Sequence, residues 1–127
     1  MKKEHILLID DNEVDNYISK YIITQNEMAK KITVINSAVE ALKYLKSQKN
    51  NPLEFPDLIF LDIRMPKMDG FDFLEEFTKF PQAVNDECPV IMLSSSNDRN
   101  DIDRALQFPV VKKYLTKPLV KEMLEDL

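Results

Sequence analysis

Glycine is almost absent from this chain of 127 residues; Gly70 is the only one. No run of glycine amides is available to cradle a phosphate-bearing cofactor. The segment after the first apolar run offers Asp10-Asp11-Asn12-Glu13 instead, which would repel one. Cysteine is equally scarce. Cys88 alone excludes an internal disulfide and fits a reducing, cytoplasmic setting, and its place before Pro89 suits a small packing residue. Long apolar runs are missing too. Met1-Lys2-Lys3 is followed only by Ile6 to Ile9 before Asp10 and Asp11 intervene, too short for a signal peptide, and no other segment is long enough to span a membrane. Basic clusters are lacking: 17 Lys and Arg stand against 22 Asp and Glu, a net charge of −5, which argues against nucleic acid as a partner. Neither repeats, low-complexity tracts nor a linker interrupt the chain, so residues 1–127 are expected to form one domain.

What is present is an alternation of short apolar runs with stretches of helical period, the pattern of an α/β, doubly wound fold with a five-stranded parallel sheet. Strands are expected at Ile6–Ile9, Ile32–Ile35, Leu58–Leu61, Val90–Leu93 and about Val110–Leu115. Val14, Tyr17, Ile18, Tyr21 and Ile22 follow the spacing of one helix face. Ser37 to Glu40 forms a capping-box pattern opening a second helix, with Ala38, Ala41, Leu42 and Leu45 inward. A third helix starts near Gly70 with Leu74 and Phe77 inward. A proline-bearing loop follows it. A fourth helix runs from about Asp98 to Gln107, burying Ile102, Ala105 and Leu106, and a closing helix begins at Leu119. Five helices therefore flank five strands, placed on both faces of the sheet by right-handed crossovers.

The carboxyl ends of parallel strands line one crevice, where such folds bind ligands. Three of the runs deliver chemistry there: Asp10 and Asp11 after the first, Asp62 after the third, Ser94 after the fourth. The last leads through Tyr114 to Lys117. Two carboxylates at about 4 Å repel by roughly 4 kcal/mol at an effective dielectric near 20. Protonation or a bound cation relieves this, and all-oxygen ligands favour Mg²⁺ or Mn²⁺. A carboxylate can then act as a nucleophile toward phosphorus, with Lys117 supplying positive charge and the Ser94 hydroxyl a hydrogen bond. Asp62 is the expected acceptor.

Four segments carry a specific resemblance: Ile9-Asp10-Asp11-Asn12, Leu61-Asp62-Ile63-Arg64-Met65-Pro66-Lys67-Met68-Asp69-Gly70, Met92-Leu93-Ser94 and Tyr114-Leu115-Thr116-Lys117-Pro118. In this order they resemble the receiver domain of two-component response regulators, of the single-domain, chemotaxis-regulator-like kind. The resemblance implies a flavodoxin-like fold with strand order 2-1-3-4-5. It implies that Asp62 accepts phosphate from a sensor histidine kinase or a histidine-phosphotransfer protein. Asp10, Asp11, Asp62 and the backbone carbonyl of Arg64 would hold Mg²⁺ (or Mn²⁺), and Lys117 would pair with the phosphate. Ser94 and Tyr114 stand at the switch positions, Arg64 and Ser96 where the phosphate lifetime is modulated, and the Lys117–Pro118 bond is expected to be cis. The first helix, near Asn16 and Lys20, would be the kinase-docking surface. The fourth and closing helices would form the output face toward a downstream protein or a phosphorylation-dependent homodimer. Such a protein is a switch that catalyses its own phosphorylation and dephosphorylation, not a conventional enzyme.

Two rival classes share the architecture. A flavodoxin-like cofactor binder would be coloured when pure and conflicts with the acidic first turn. A Mg²⁺-dependent phosphohydrolase with an aspartyl nucleophile would turn over phosphate esters, but it usually needs a second acid where this chain has Arg64. Asp69 is expected to be a helix cap, Phe71, Phe73, Phe77 and Phe80 core and helix surface and not a cofactor site, and His5 is given no catalytic part.

Overall fold

Uninterrupted apolar runs become strands covered on both sides in the computed structural model, which describes residues 3–127. The order is β1 (Lys3–Ile9), α1 (Glu13–Gln25), β2 (Ala29–Ile35), α2 (Ala38–Gln48), β3 (Leu58–Leu61), α3 (Gly70–Phe77), α4 (Gln82–Glu87), β4 (Val90–Ser94), α5 (Arg99–Leu106), β5 (Val111–Thr116) and α6 (Lys121–Leu124). The strands form one parallel sheet in the order β2-β1-β3-β4-β5, as the motifs implied.

Because side chains alternate across a strand, each run feeds two cores. Leu7, Ile9, Ile59, Leu61, Val90 and Met92 face α2, α3 and α5, meeting Leu42, Leu45, Phe73, Phe77 and Ala105. Ile6, Leu8, Leu58, Phe60, Ile91 and Leu93 face α1 and α6, meeting Ile23, Leu119 and Leu124. Each fully buried side chain of this kind contributes roughly 1.5–3 kcal/mol of transfer free energy. Phe71, Phe73, Phe77 and Phe80 are all core, and Cys88 is buried with its thiol pKa pushed up by that burial.

Three expectations need correction. The described residues contain six helices, not five, because α4 forms inside the segment read as a loop. Pro81 fixes the backbone at its start, but no residue of α4 is fully buried, so it has no apolar period to announce it. On α1 the inward residues are Asn16, Ser19 and Ile23, whereas Val14, Tyr17 and Tyr21 are exposed, Tyr17 by 73%. The helix starts at the polar rim of the sheet, where a buried Asn16 finds a hydrogen-bond partner, so Asn16 is no surface position. On α5 Leu106 is 47% exposed, because this helix covers the edge strand β5 and buries fully only Ala105. Among the described residues no helix is long and apolar enough to cross a membrane.

Candidate functional site

Parallel register brings the acidic residues together. Ile9 pairs with Leu61, so Asp10 and Asp62 leave the sheet side by side, and the amide of Asp62 donates to the Ile9 carbonyl at 3.0 Å. On the other side Leu61 pairs with Met92, and Ser94 pairs with Thr116, which precedes Lys117. Asp10 and Asp62 are 7% and 6% exposed, while Asp11 is open to solvent. One carboxylate oxygen from each lies within 4.8 Å of the others. This donor set, hard oxygens crowded at a partly buried rim, fits a divalent cation such as Mg²⁺ or Mn²⁺.

Lys117 sits among the same acids with its side chain 10% exposed. Its Nζ lies 2.6 Å from Asp10 Oδ2, 2.8 Å from Asp15 Oδ2 and 3.4 Å from Asp62 Oδ2. Burial alone would lower its pKa. The hydrogen bonds to Asp10 and Asp15 and the charges of Asp62 and Asp10 outweigh that, so the ammonium is held charged. Asp62 moves the other way: burial first, then the neighbouring Asp10 charge, raise it to about 6 against the pull of Lys117. Its Oδ1 accepts from the Ile63 amide at 2.8 Å, which leaves Oδ2 facing Lys117. The Lys117–Pro118 peptide is cis.

Ser94 is fully buried at the end of β4, its Oγ accepting from the Ser96 amide at 3.1 Å. The Tyr114 hydroxyl donates to the Ser96 carbonyl at 2.7 Å, so the tyrosine is tied to the loop that follows Ser94. Arg64 and Ser96 converge on a residue the sequence did not single out. Asp101, in the first turn of α5, accepts from the Arg64 guanidinium at 3.1 Å and from Ser96 Oγ at 2.7 Å through the same oxygen. Below the acceptor loop, Gly70 opens α3, its amide donating to the Ile63 carbonyl at 2.8 Å; Asp69 is indeed the cap, in a complete capping box with Asp72.

Asp15 also escaped the sequence reading, and Asn16, expected at an exposed docking position, is instead buried beside the site. Asn16 Nδ2 donates to the Asp10 carbonyl at 2.8 Å and so braces the first turn from beneath. A signal for Asp15 did exist: it is the third helical residue after the cap Asn12. Its partner Lys117 lies 102 positions away, which no local pattern reports.

Comparison with known proteins follows the same lines. The profile of the response regulator receiver domain matches residues 6–127. The two-component response regulator ORR13 of Oryza sativa subsp. japonica is 30% identical over 119 residues, covering 94% of this chain and 90% of that protein. A two-component response regulator from Cytophaga hutchinsonii has a crystal structure similar to this fold with a TM-score of 0.91 at 28% identity, covering 99% of this chain and 94% of that one. The crystal structure of the phosphorylated cyanobacterial phytochrome response regulator RcpA is similar with a TM-score of 0.78 at 28% identity, covering 99% and 88%. Motifs, strand order and site geometry agree with these likenesses: the chain belongs to the family of two-component response regulator receiver domains.

Proposed function

We propose that this receiver domain is a phosphorylation switch in which Asp62 accepts a phosphoryl group from a sensor histidine kinase or a histidine-phosphotransfer protein. The observation that carries this reading is the convergence of buried Asp62 with Asp10, Asp11 and Lys117 at one strand edge. A relative of 28% identity has been seen phosphorylated, which supports it. Ionised Asp62 attacks phosphorus, the phosphorus–nitrogen bond of phosphohistidine breaks, and the imidazole leaves with the bonding electron pair. Asp10, Asp11, Asp62 and the Arg64 carbonyl would hold Mg²⁺ or Mn²⁺, which supplies charge neutralisation for the transferring group. Lys117 supplies a further positive charge, and the Ser94 hydroxyl donates to a phosphoryl oxygen.

Turning toward the phosphoryl group to make that donation carries Ser94 Oγ away from the Ser96 amide. The Ser96 loop then shifts, releasing Tyr114 and passing the change to α5 and β5 for a downstream protein or a second copy. Exposed Val14, Tyr17 and Tyr21 on α1 give the donor an apolar docking surface in place of Asn16. A net charge of −5 speaks against nucleic acid at either face. Together with the single buried Cys88, it suits a cytoplasmic switch. Incubation with acetyl phosphate and Mg²⁺, followed by intact mass, tests the reading. One added phosphoryl group is expected on the wild type and none on Asp62→Asn; an equal gain on both would exclude Asp62 as the acceptor.

A further inference from the structure

The first turn of α1 carries a carboxylate that capping does not use. In α3 the third helical residue, Asp72, turns its carboxylate back to the amide of the cap Asp69 at 3.1 Å. Asp15 occupies the same position in α1, and its own amide donates to the cap Asn12 at 2.9 Å. The reciprocal bond is not made, because the Asn12 amide already donates to Asp10 Oδ1 at 3.0 Å. Asp15 is thereby free to reach across the rim, and Oδ2 meets Lys117 Nζ at 2.8 Å.

The three N–H bonds of the Lys117 ammonium face three carboxylates: Asp10, Asp15 and Asp62. Two of these are the acids that a divalent cation would also need, and Lys117 lies closest to one of them, Asp10. Seating a cation therefore requires Lys117 to release Asp10 without leaving the acceptor. Asp15 lies outside the group of three acids whose oxygens converge, so it can keep hold of the ammonium while Asp10 turns to the cation.

We propose that Asp15 is a positioning residue that holds Lys117 beside Asp62 while Asp10 is given over to the divalent cation. This rests on the metal-dependent reading above. With Asp15 removed, Lys117 falls back on Asp10 and Asp62 and competes with the cation for them.

Free Mn²⁺ measured by electron paramagnetic resonance at about 0.15 M salt, where distant charge is screened, reads the competition directly without any phosphoryl transfer. Asp15→Asn is expected to weaken Mn²⁺ binding about tenfold, the scale of coupling between contacting residues. Asp15→Glu, which keeps the carboxylate, restores most of the loss. In a Lys117→Gln background the same Asp15→Asn change costs no more than about threefold, what through-space charge alone supplies. Equal factors in the two backgrounds, or full affinity in Asp15→Asn, would overturn the positioning role while leaving the metal site standing. A wild type that binds no Mn²⁺ would overturn both.

Discussion

A methyl group at position 70 would sit 2.5 Å from the carbonyl oxygen of Asp62 and 3.0 Å from the Ile63 Cα, both backbone atoms with nowhere to yield. The one glycine in the chain is thus the floor of the acceptor loop. Gly70→Ala is expected to cost about 1–3 kcal/mol in urea unfolding, as overpacking does, and to slow phosphorylation by displacing Asp62. An unchanged midpoint and rate would show that the loop is not held from below. Above the loop, Arg64 spans from the acceptor segment to Asp101 on α5. With the guanidinium mostly exposed, the pair adds little stability. We propose that it lays a long side chain beside the acceptor and limits the approach of water. Arg64→Ala and Asp101→Ala are each expected to shorten the acyl-phosphate lifetime about threefold or more, a barrier change of roughly 0.7 kcal/mol. If the lifetime follows neither substitution, Arg64 has no such part. The positions of Asp62 and Ser94 were legible because each ends an apolar run, and that of Lys117 because the segment Tyr114 to Pro118 carries the family resemblance. Asp15 and Asp101 were not, because only the folded register brings them to Lys117 and Arg64.

Elements were legible in proportion to how far burial dictates their composition. Strands β1, β3 and β4 are covered on both faces and leave solid apolar runs, whereas α4 is a surface helix and leaves none. Helix α1 was misread at its face because Tyr17 and Tyr21 share a helical period with residues that do pack, while the rim of the site draws Asn16 and Ser19 inward. The same helix ends with a defect that can be repaired. Glu27, just past the cap Asn26, adopts φ 51°, a left-handed conformation that a side chain disfavours and glycine does not. Glu27→Gly is expected to raise stability by a few tenths to about 1 kcal/mol, the relief being partly offset by the freer unfolded chain. A lower denaturation midpoint would mean that the glutamate makes a compensating contact.

For the molecule as a whole, the two ends of the sheet carry opposite pH responses. At the amino ends of the strands His5 is buried, its Nε2 2.7 Å from Thr33 Oγ1 and its Nδ1 without a partner. Burial, then the Lys31 charge, lower its pKa against the opposing pull of the Glu54 carbonyl and the charges of Glu54 and Asp57. The unfolded chain, with an ordinary histidine near pH 6.5, binds that proton first. Stability from His5 is therefore complete above about pH 6.5 and is lost as pH falls through and below it. Asp62, raised to about 6, does the reverse: the folded state takes up its proton first, so its contribution improves as pH falls. Subtracting the unfolding free energy of a His5→Gln variant from that of the wild type, point by point in pH, isolates the histidine. The difference should shrink on acidification from pH 7 to pH 5, and a flat difference would mean that the folded state takes up the proton as readily as the unfolded chain.

Reduction with borohydride after treatment with acetyl phosphate and Mg²⁺ reads the phosphorylated position itself, because an aspartyl phosphate is converted to homoserine and the peptide mass records where. Homoserine at position 62 and nowhere else is the expected result. Conversion at Asp10 or Asp11, or none at all in a protein that has gained a phosphoryl group, would mean that Asp62 is not the acceptor.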